Sequence, residues 1–414
     1  MVADSEEIYS CYEAHVNPVY PSFLRRLGIP YPAASAEGAV IRDVRGNEYI
    51  DCTSGYGLLN LGHNHPALVE AAIDQLRSRQ PLTRPMITEI QALLARRLAA
   101  AAPGDLECVF LCNSGSEAVD SAIKLARLTT GRPKILSALG SFHGYTYGAL
   151  SASGIPRMQK AFGPLVSGID HVPYGETPAV QAALGPDVAA VLLEPVQHEA
   201  GVRPPPDGYL RAVRDLCDAA GVLLILDEVK TGFGRTGPLF ACAYLGIVPD
   251  ILVLGKSLGG GLVPAGAVVA RKSLWRRFGL SFGMSASSYA GNALACRVAL
   301  RVLELIGEEP ILDQGSRMGG LLAERLQEAV RRHSPMLEEV RMVGLLASVR
   351  TDGPASAAAL SASLCRKGVL AMPAFGDGAE LMFEPPLVIT ERQVAQVAAA
   401  LEDSCREIPR ELRR

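Results

Sequence analysis

Short apolar runs alternate with amphipathic helical patterns through the middle of the chain, from about residue 107 to about residue 270. This alternation is typical of a sheet of parallel strands that is covered by helices on both faces. Strands buried on both faces should be apolar almost throughout, and most of these runs are. The predicted strands are Cys108–Leu111, Lys134–Ser137, Ala189–Leu193, Val222–Leu226, Ile251–Leu254 and Ala267–Ala270.

The two ends of the chain follow a different pattern. Residues 39–51 alternate around Gly46-Asn47 as a β-hairpin does. After about residue 300 the pattern is mainly helical, and it closes with strand-like and helical pieces around Val369–Pro373 and Thr390–Glu402. We therefore expect an α/β fold, with a large domain and a smaller α+β domain built from both chain ends. The expected segments are 61–300 for the large domain, and 1–60 and 301–414 for the small one.

Composition narrows the classes of protein and partner. The chain has 414 residues, of which 49% are hydrophobic, and a net charge of -3. It is therefore globular, without the basic surplus that attracts nucleic acid or anionic membranes. The nine cysteines show no Cys-x-x-Cys spacing, the N-terminus lacks a signal-peptide pattern, and no apolar run approaches the roughly 20 residues that span a bilayer. We expect a cytoplasmic protein with small-molecule partners, no nucleic acid and no membrane.

A possible anion site lies at residues 114–117, where a strand runs into Ser-Gly-Ser-Glu and then a helical pattern. Ser114 and Glu117 have the spacing of a capping box. A helix N-terminus with glycine and small hydroxyls presents backbone N–H groups and the positive end of the helix dipole to an anion. Ser114 acting only as a helix cap explains the same pattern equally well.

Two glycine-rich segments resemble nucleotide-binding loops, but one lacks the required spacing and the other lacks the required context. Gly255-Lys256-Ser257 would need a glycine five residues earlier to form a phosphate-binding loop, and that residue is Asp250. Gly232, Gly234 and Gly237 have dinucleotide-fingerprint spacing, but residues 228–231 separate them from their strand and a proline follows them. His63 and His65 form a His-x-His pair without further ligands nearby, so we expect no metal site.

Asp227 and Lys256 each follow an apolar strand, at the end where open α/β sheets place their ligands. Burial behind such a strand would lower the pKa of Lys256 and leave a neutral, nucleophilic amine. Taken alone, Lys256 would more often be an ordinary surface lysine. Together with the anion site, the carboxylate and the amine are the groups that pyridoxal phosphate requires, namely a phosphate site, a partner for the pyridine nitrogen and a Schiff-base lysine.

Over essentially its whole length the sequence resembles the class III (ω-amino acid) pyridoxal-phosphate aminotransferases of fold type I. Within that family it is most similar to the putrescine, ornithine and acetylornithine branch. The blocks that carry the resemblance are Asn60–Pro66, Asn113–Ala118, Ser141–Gly144, Leu193–Gln197, Leu226–Val229, Gly234–Gly237, Gly255–Gly261, Tyr289–Asn292 and Glu384–Leu387. The resemblance implies a large domain with a mostly parallel seven-stranded sheet between helices.

The resemblance also implies pyridoxal 5'-phosphate as cofactor and assigns residues to it. Lys256 would hold the cofactor as an internal aldimine, and Asp227 would pair with the pyridine nitrogen. A homodimer is implied, because active sites of this family are shared between two chains. The other implied cofactor-binding residues are Gly115 and Ser116 at the phosphate, Phe142 and Val229 on the two faces of the ring, His143, Lys230, and Ser288, which would reach the phosphate of the neighbouring subunit.

Lys230 is a departure from the family pattern, which commonly has a glutamine that binds the phenolic oxygen of the cofactor. A cation beside that oxygen would favour its phenolate form. Alternatively, Lys230 swings outward and leaves the place to water. The sequence does not decide between these alternatives.

Met382 is a larger departure, because relatives that use glutamate commonly have an arginine there that binds the substrate carboxylate. Methionine cannot replace a bidentate guanidinium. The usual glutamate partner of that arginine corresponds to Glu199, which would then be available for a substrate ammonium or be neutralised by Arg203 or Lys230. His198 stands where the family usually has a glycine, and Tyr56 is expected to line the far side of the substrate pocket.

The expected function is a transaminase that moves an amino group between a primary amine, of the ω-amine or diamine type, and an aldehyde or ketone. The reaction would be ping-pong, through the Lys256 aldimine and pyridoxamine phosphate, and Met382 suggests a non-standard substrate, of the kind used in specialised biosynthesis. An aminomutase, racemase or decarboxylase could use the same cofactor residues. A non-catalytic binding protein on the same fold is the alternative from another class, and intact Lys256 and Asp227 argue against it.

Overall fold

The computed structural model describes residues 5–81, 86–275 and 287–408. Its helices are α1 Ser5–His15, α2 Tyr20–Arg26, α3 Pro66–Arg77, α4 Glu89–Ala101, α5 Gly115–Thr130, α6 Tyr147–Ala152, α7 Pro156–Gln159, α8 Thr177–Ala183, α9 Tyr209–Ala220, α10 Ala241–Tyr244, α11 Ala293–Glu308, α12 Ile311–His333, α13 Pro354–Arg366 and α14 Glu391–Glu407. Short 3₁₀ helices occupy Lys160–Phe162 and Lys256–Gly259.

The strands are β1 Ala33–Glu37, β2 Val40–Asp43, β3 Glu48–Asp51, β4 Leu106–Cys112, β5 Lys134–Ala138, β6 Ile169–Val172, β7 Val188–Leu193, β8 Leu223–Asp227, β9 Ile251–Leu254, β10 Gly266–Arg271, β11 Leu337–Val343, β12 Leu346–Thr351, β13 Val369–Leu370, β14 Met372–Pro373 and β15 Glu380–Phe383. The chain divides into two compact units, one made of residues up to His65 and from Asp313 onward, the other of residues 66–312. The domain boundaries expected from the sequence, at residues 60 and 300, stay a prediction.

A seven-stranded sheet forms the centre of the second unit, with strand order β4-β10-β9-β8-β7-β5-β6. The mostly parallel sheet is confirmed, and the exception is β10, which runs antiparallel to both of its neighbours. Central strands β7 and β9 are buried at every residue, as strands covered on both faces must be. All six strands predicted from the apolar runs are present. In this sheet β6 was not predicted, because only part of this short edge strand is buried.

The first unit contains two four-stranded sheets, with strand orders β1-β2-β3-β13 and β11-β12-β15-β14. The predicted hairpin is confirmed as the antiparallel pair β2–β3. Its turn is closed by Asp43, whose Oδ1 accepts hydrogen bonds from the backbone N–H groups of Arg45 and Asn47. The final helical piece is also confirmed, as α14, which begins with a full capping box between Thr390 and Gln393.

Two features are absent from the residues that the structure describes. None of the helices there is long and apolar enough to cross a bilayer. In the same part of the chain, no three His, Cys, Asp or Glu side chains are grouped as a metal site would require.

Candidate active site

Asp227 and Lys256 lie at the same edge of the large sheet. Asp227 is the last residue of β8, and Lys256 follows the neighbouring parallel strand β9 after a single glycine. Register pairs Asp227 with Val253, and the backbone N–H of Glu228 donates to the Val253 carbonyl at 2.9 Å. The carboxylate and the amine that the sequence selected are therefore carried by adjacent strand ends.

The backbone at Lys256 is strained. Its φ is +44°, in the left-handed region that residues with a side chain seldom adopt. Lys256 begins the 3₁₀ helix Lys256–Gly259, and its side chain is only partly buried, while the three following residues are buried. Strain of this kind costs on the order of 1–3 kcal/mol and concentrates at functional sites.

A buried, hydrogen-bonded pair joins Asp227 to His143 in the loop after β5. The Nδ1 atom of His143 lies 2.7 Å from Oδ2 of Asp227, and both side chains are almost fully enclosed. An ionised carboxylate can only accept, so Nδ1 carries the proton that it donates. The other carboxylate oxygen, Oδ1, accepts from the backbone N–H of Val229 at 3.0 Å. Behind the ring, Nε2 of His143 lies 3.3 Å from Oγ of Ser137.

The predicted anion site is the N-terminus of α5, which begins at Gly115. The hydroxyl of Ser114 accepts from the backbone N–H of Glu117 at 3.1 Å, which is one half of the predicted capping box. The other half is missing, because the Glu117 carboxylate accepts from the backbone N–H of Asn113, at 2.8 Å, where a full box requires that of Ser114. The four-turn helix α5 therefore begins at the position that the sequence predicts.

Gly115 connects this helix N-terminus to both strand ends. A Cβ at Gly115 would lie 2.7 Å from Cγ1 of Val229, and one at Gly255 would lie 3.0 Å from Cα of Gly115. A Cβ at Gly115 would therefore displace Val229, and one at Gly255 would press on the backbone of Gly115, so both positions favour glycine. This close packing brings the residue before Lys256 and the residue after Glu228 against the start of α5.

Ser116 is held by the loop that carries His143. Its Oγ accepts from the backbone N–H of Tyr145 at 3.2 Å, and a Cβ at Gly144 would lie 2.1 Å from that same oxygen. Phe142 precedes His143 in this loop, is partly buried, and packs edge-on against Tyr145 with 5.2 Å between ring centroids. Gly115, Ser116, Phe142, His143, Asp227 and Val229 are therefore gathered around one edge of the sheet in the second unit.

Glu194 also belongs to this group, although the sequence analysis gave it no role. It follows β7, is almost fully buried, and its Oε1 accepts from the backbone N–H of Phe142 at 2.9 Å. Burial is the main cause that raises its pKa to about 7, with the Asp227 charge adding to the rise and His143 and His198 opposing it. The available signal was a glutamate directly after a fully apolar strand and before a proline.

Glu199 has a neighbour that the sequence analysis did not consider as its partner. Its Oε1 lies 2.9 Å from Nδ1 of His198, and both side chains are buried. Arg203 donates to the Tyr174 carbonyl at 2.9 Å and lies over the Tyr174 ring. Lys230 is only 6% exposed, which disfavours the alternative in which its side chain swings outward.

Two predicted substrate residues, Tyr56 and Met382, belong to the first unit. Tyr56 is 54% exposed and stacks on Phe375 with 6.3 Å between ring centroids. Met382 is buried on β15, in register with Ser348 on β12 and Met372 on β14. Ser288, the predicted contact to a second subunit, is exposed in the second unit.

The residues gathered in the second unit fit pyridoxal 5'-phosphate. The N-terminus of α5, with the Ser116 hydroxyl beside it, suits the phosphate. The buried Asp227–His143 pair offers a carboxylate to a protonated pyridine nitrogen, and Lys256 supplies a primary amine. The glycines at positions 115 and 255 leave no side chain between these groups.

Comparison with known proteins gives the same result. Residues 25–404 match the family Aminotransferase class-III. The chain is 38% identical to a putrescine aminotransferase from Pectobacterium atrosepticum, with 99% of this chain and 90% of that protein covered.

Solved structures agree in fold. An ornithine aminotransferase from Toxoplasma gondii matches with a TM-score of 0.90 and 32% identity, covering 98% of this chain and 95% of that one. An amine transaminase from an uncultivated Pseudomonas species, solved in its PLP-bound form, matches with a TM-score of 0.85 and 28% identity, covering 92% of this chain and 95% of that one. The chain therefore belongs to the class III aminotransferases, and it is a pyridoxal-phosphate-dependent transaminase of fold type I.

Proposed function

We propose that this transaminase moves an amino group between a primary amine of the ω-amine or diamine type and an aldehyde or ketone, by a ping-pong mechanism. The observation that carries the proposal is the buried Asp227–His143 pair at the strand end beside Lys256. The similarity to a putrescine aminotransferase supports the amine class. We also propose a cytoplasmic location, which suits nine free thiols.

The cofactor, when bound, supplies the carbonyl that receives the amino group and a ring that takes up electrons from the reacting carbon. Lys256 would hold the cofactor covalently through Nζ. Once released by the substrate amine, the same nitrogen would take the proton from the amine-bearing carbon and pass it to the cofactor carbon that receives the amino group, and with the acceptor it would move a proton in the opposite direction. The strained backbone at Lys256 fixes where the side chain leaves the sheet edge.

Asp227 keeps the pyridine nitrogen protonated through its carboxylate. His143 donates to Oδ2 of Asp227 at 2.7 Å, so it fixes the orientation of the carboxylate and stabilises its charge. Phe142 and Val229 confine the two faces of the ring, and the start of α5, at Gly115 and Ser116, binds the phosphate. Lys230 favours the ionised phenolic oxygen of the cofactor.

A homodimer is the proposed assembly, with Ser288 of this chain reaching the cofactor phosphate that a second copy holds. Large apolar side chains near this segment support an interface, since Ile87 is 87% exposed and Tyr289 is 70% exposed. The two segments are neighbours, because a Cβ at Gly291 would meet the side chain of Gln91 at 2.6 Å. Light scattering tests the assembly, and a monomer that retains full activity would contradict it.

The proposed substrate carries no carboxylate on its reacting carbon. Met382 offers no charge to a carboxylate. Glu199 is proposed to bind the ammonium group of the substrate, and its pairing with His198 holds the carboxylate in place. An ω-amine or diamine supplies the group that such a carboxylate binds.

Lys256→Ala tests the assignment of the amine. We expect no transamination and no visible absorption band from the covalently bound cofactor. Lys124→Ala is the matched control, because Lys124 is an exposed lysine on α5 in the same unit. A Lys256→Ala protein that keeps the absorption band would show that another lysine, Lys230 foremost, carries the cofactor.

Met382→Arg tests the substrate class against a panel of diamines, ω-amino acids and 2-oxo acids. We expect the variant to gain activity with 2-oxoglutarate as acceptor, while Met382→Leu, which keeps an apolar side chain of similar size, retains the wild-type range. Efficient use of 2-oxoglutarate by the wild-type enzyme, with no gain in the variant, would refute the proposed class.

Initial rates test the ping-pong order. At several fixed acceptor concentrations, double-reciprocal plots against the amine should be parallel, because the deaminated product leaves before the acceptor binds. Lines that intersect would indicate a complex that contains both substrates.

A further inference from the structure

Glu194 joins two loops of the second unit with one carboxylate. Oε1 accepts from the backbone N–H of Phe142 at 2.9 Å, in the loop after β5. Oε2 accepts from the backbone N–H of His198 at 3.4 Å, in the loop after β7. The first loop carries Phe142 and His143, and the second carries the His198–Glu199 pair. The carboxylate therefore lies between the proposed cofactor face and the proposed amine site.

Both contacts require the ionised carboxylate. An ionised Glu accepts at both oxygens, whereas a protonated one turns one oxygen into a donor that faces a backbone N–H. A buried N–H left without an acceptor costs about 1–3 kcal/mol. Protonation of Glu194 would consequently release either Phe142 or His198 from the carboxylate.

The charged surroundings of Glu194 come from three elements. His143 and Asp227 face it from the loop after β5 and from the end of β8, and His198 lies on its own loop. Tyr174, whose hydroxyl donates to the Glu194 carbonyl at 3.2 Å, has its pKa raised by burial and, to a lesser degree, by the Glu194 charge. Burial, as the largest cause, raises the pKa of Glu194 to about 7. Small changes in neighbouring charge then change the proton occupancy near neutral pH.

We propose that Glu194 is a positioning residue that holds Phe142 and His198 only when ionised, and that cofactor binding beside Asp227 expels its proton. The inference rests on the roles proposed above for Phe142 and Asp227. A protonated pyridine nitrogen adds a positive charge next to Asp227, which favours the ionised form of a nearby carboxyl. By linkage, a proton released on binding makes the affinity for the cofactor rise with pH.

The test measures the affinity of the apoprotein for pyridoxal 5'-phosphate, by quenching of protein fluorescence, for wild type, Glu194→Gln and Glu228→Gln. We expect the wild-type affinity to rise about tenfold more between about pH 6 and about pH 8 than that of Glu194→Gln. The Lys256 amine and the cofactor phosphate contribute equally to the pH dependence of wild type and of both variants. Glu228→Gln is the matched control, because it also removes a buried carboxylate that accepts from two backbone N–H groups, those of Ala241 and Cys242. It should follow wild type, because Phe142 and His198 donate to Glu194 and not to Glu228.

Equal pH dependence in wild type and Glu194→Gln would overturn the inference. If Glu194→Gln gives no folded protein, Glu194→Asp decides, because its shorter carboxyl must shift the midpoint of the pH response, and an unchanged midpoint would count against Glu194. Failure of the proposed cofactor roles has a different signature. In that case Asp227→Asn and Phe142→Leu would leave the affinity unchanged at every pH.

Discussion

Each compact unit contains an Asp–His pair at the end of a strand, and the two pairs have different roles. In the second unit, Asp227 at the end of β8 pairs with His143 at 2.7 Å. In the first unit, Asp51 at the end of β3 pairs with His63 at 2.9 Å. Both pairs join a carboxylate to an imidazole, and they differ in burial, since the His63 side chain is 17% exposed and that of His143 is fully buried, and in what else each carboxylate binds.

Asp51 is saturated by its own loop. Its Oδ1 accepts from the backbone N–H of Thr53 at 2.8 Å, the hydroxyl of Thr53 at 2.6 Å and the backbone N–H of Ser54 at 3.0 Å. Asp227 accepts only from Val229 besides His143 among the described residues. A carboxylate has about four lone-pair sites. Structural hydrogen bonds therefore occupy the lone pairs of the Asp51 carboxylate, whereas the Asp227 carboxylate has lone pairs left to bind a ligand.

The Asp51 loop needs this support because it is strained. Ser54, Gly55, Tyr56 and Gly57 all have positive φ, at 46°, 58°, 62° and 80°. A left-handed residue with a side chain costs roughly 1–2 kcal/mol. The Ser54 hydroxyl donates to the Glu384 carbonyl at 2.6 Å and ties the turn to the chain beyond β15. The Asp51 pair thus stabilises a turn that presents Tyr56.

The largest expected effect is the loss of kcat in the Asp227→Asn variant. The variant keeps the shape of the side chain but cannot keep a pyridine nitrogen protonated, so we expect kcat to fall by about 10²–10³-fold. Its unfolding free energy should fall by only about 1 kcal/mol, because an NH2 group replaces one of the two oxygens that accept from His143 and Val229. Steady-state kinetics at saturating cofactor measure kcat. Unchanged kcat would mean that both Asp–His pairs are structural.

Asp51→Ala should have the opposite profile. Removing the carboxylate leaves the buried donor at Ser54 and the partly buried donors at Thr53 and His63 without their acceptor, so we expect a loss of about 4 kcal/mol of unfolding free energy in total. Denaturant titration of the apoprotein measures it. The folded fraction should bind the cofactor with wild-type affinity, and a loss of that affinity without a loss of stability would reverse the assignment.

A smaller effect is expected in the pH dependence of stability, through Glu194. Its pKa in the folded chain is raised to about 7, so the folded state holds a proton that the unfolded state releases above about pH 4.5. Stability therefore falls as pH rises through this window, and levels off above about pH 7. We expect Glu194→Gln to remove a step of about 3 kcal/mol from the curve of unfolding free energy against pH. Identical curves would contradict the raised pKa.

The two Asp–His pairs also show what the sequence could predict. Asp227 and Lys256 were found because each follows a run of apolar residues, and parallel strands bring their carboxyl ends to one edge. The large sheet followed from the same runs, apart from the partly buried β6, whereas β1, β11, β12 and β15 of the first unit were not predicted. His143, which was assigned only through the resemblance to the family, and Glu194 depend on loops that meet in space, 84 and 52 residues from their partners Asp227 and Phe142. Local sequence patterns do not show which distant residues form such contacts.

The left-handed turn at residues 54–57 could not be predicted from the sequence, for another reason. Glycines at positions 55 and 57 permit positive φ, but Ser54 and Tyr56 adopt it against their own preference. Only tertiary support, from Asp51 and from the Glu384 carbonyl 330 residues away, makes that conformation stable. The glycines can be read from the sequence, whereas the tertiary hydrogen bonds that stabilise the turn cannot.

The smallest expected effect compares two glycines with positive φ in the first unit. A Cβ at Gly55 would lie 3.2 Å from Cγ of Leu58, whereas one at Gly46, in the β2–β3 turn, would meet nothing within 4 Å. Gly46→Ala should therefore lose only the cost of positive φ, about 1 kcal/mol. Gly55→Ala should lose somewhat more, because Leu58 must also move, and denaturant titration measures both. If Gly55→Ala costs no more than Gly46→Ala, the turn yields to the added methyl group, and its strain does not fix the position of Tyr56.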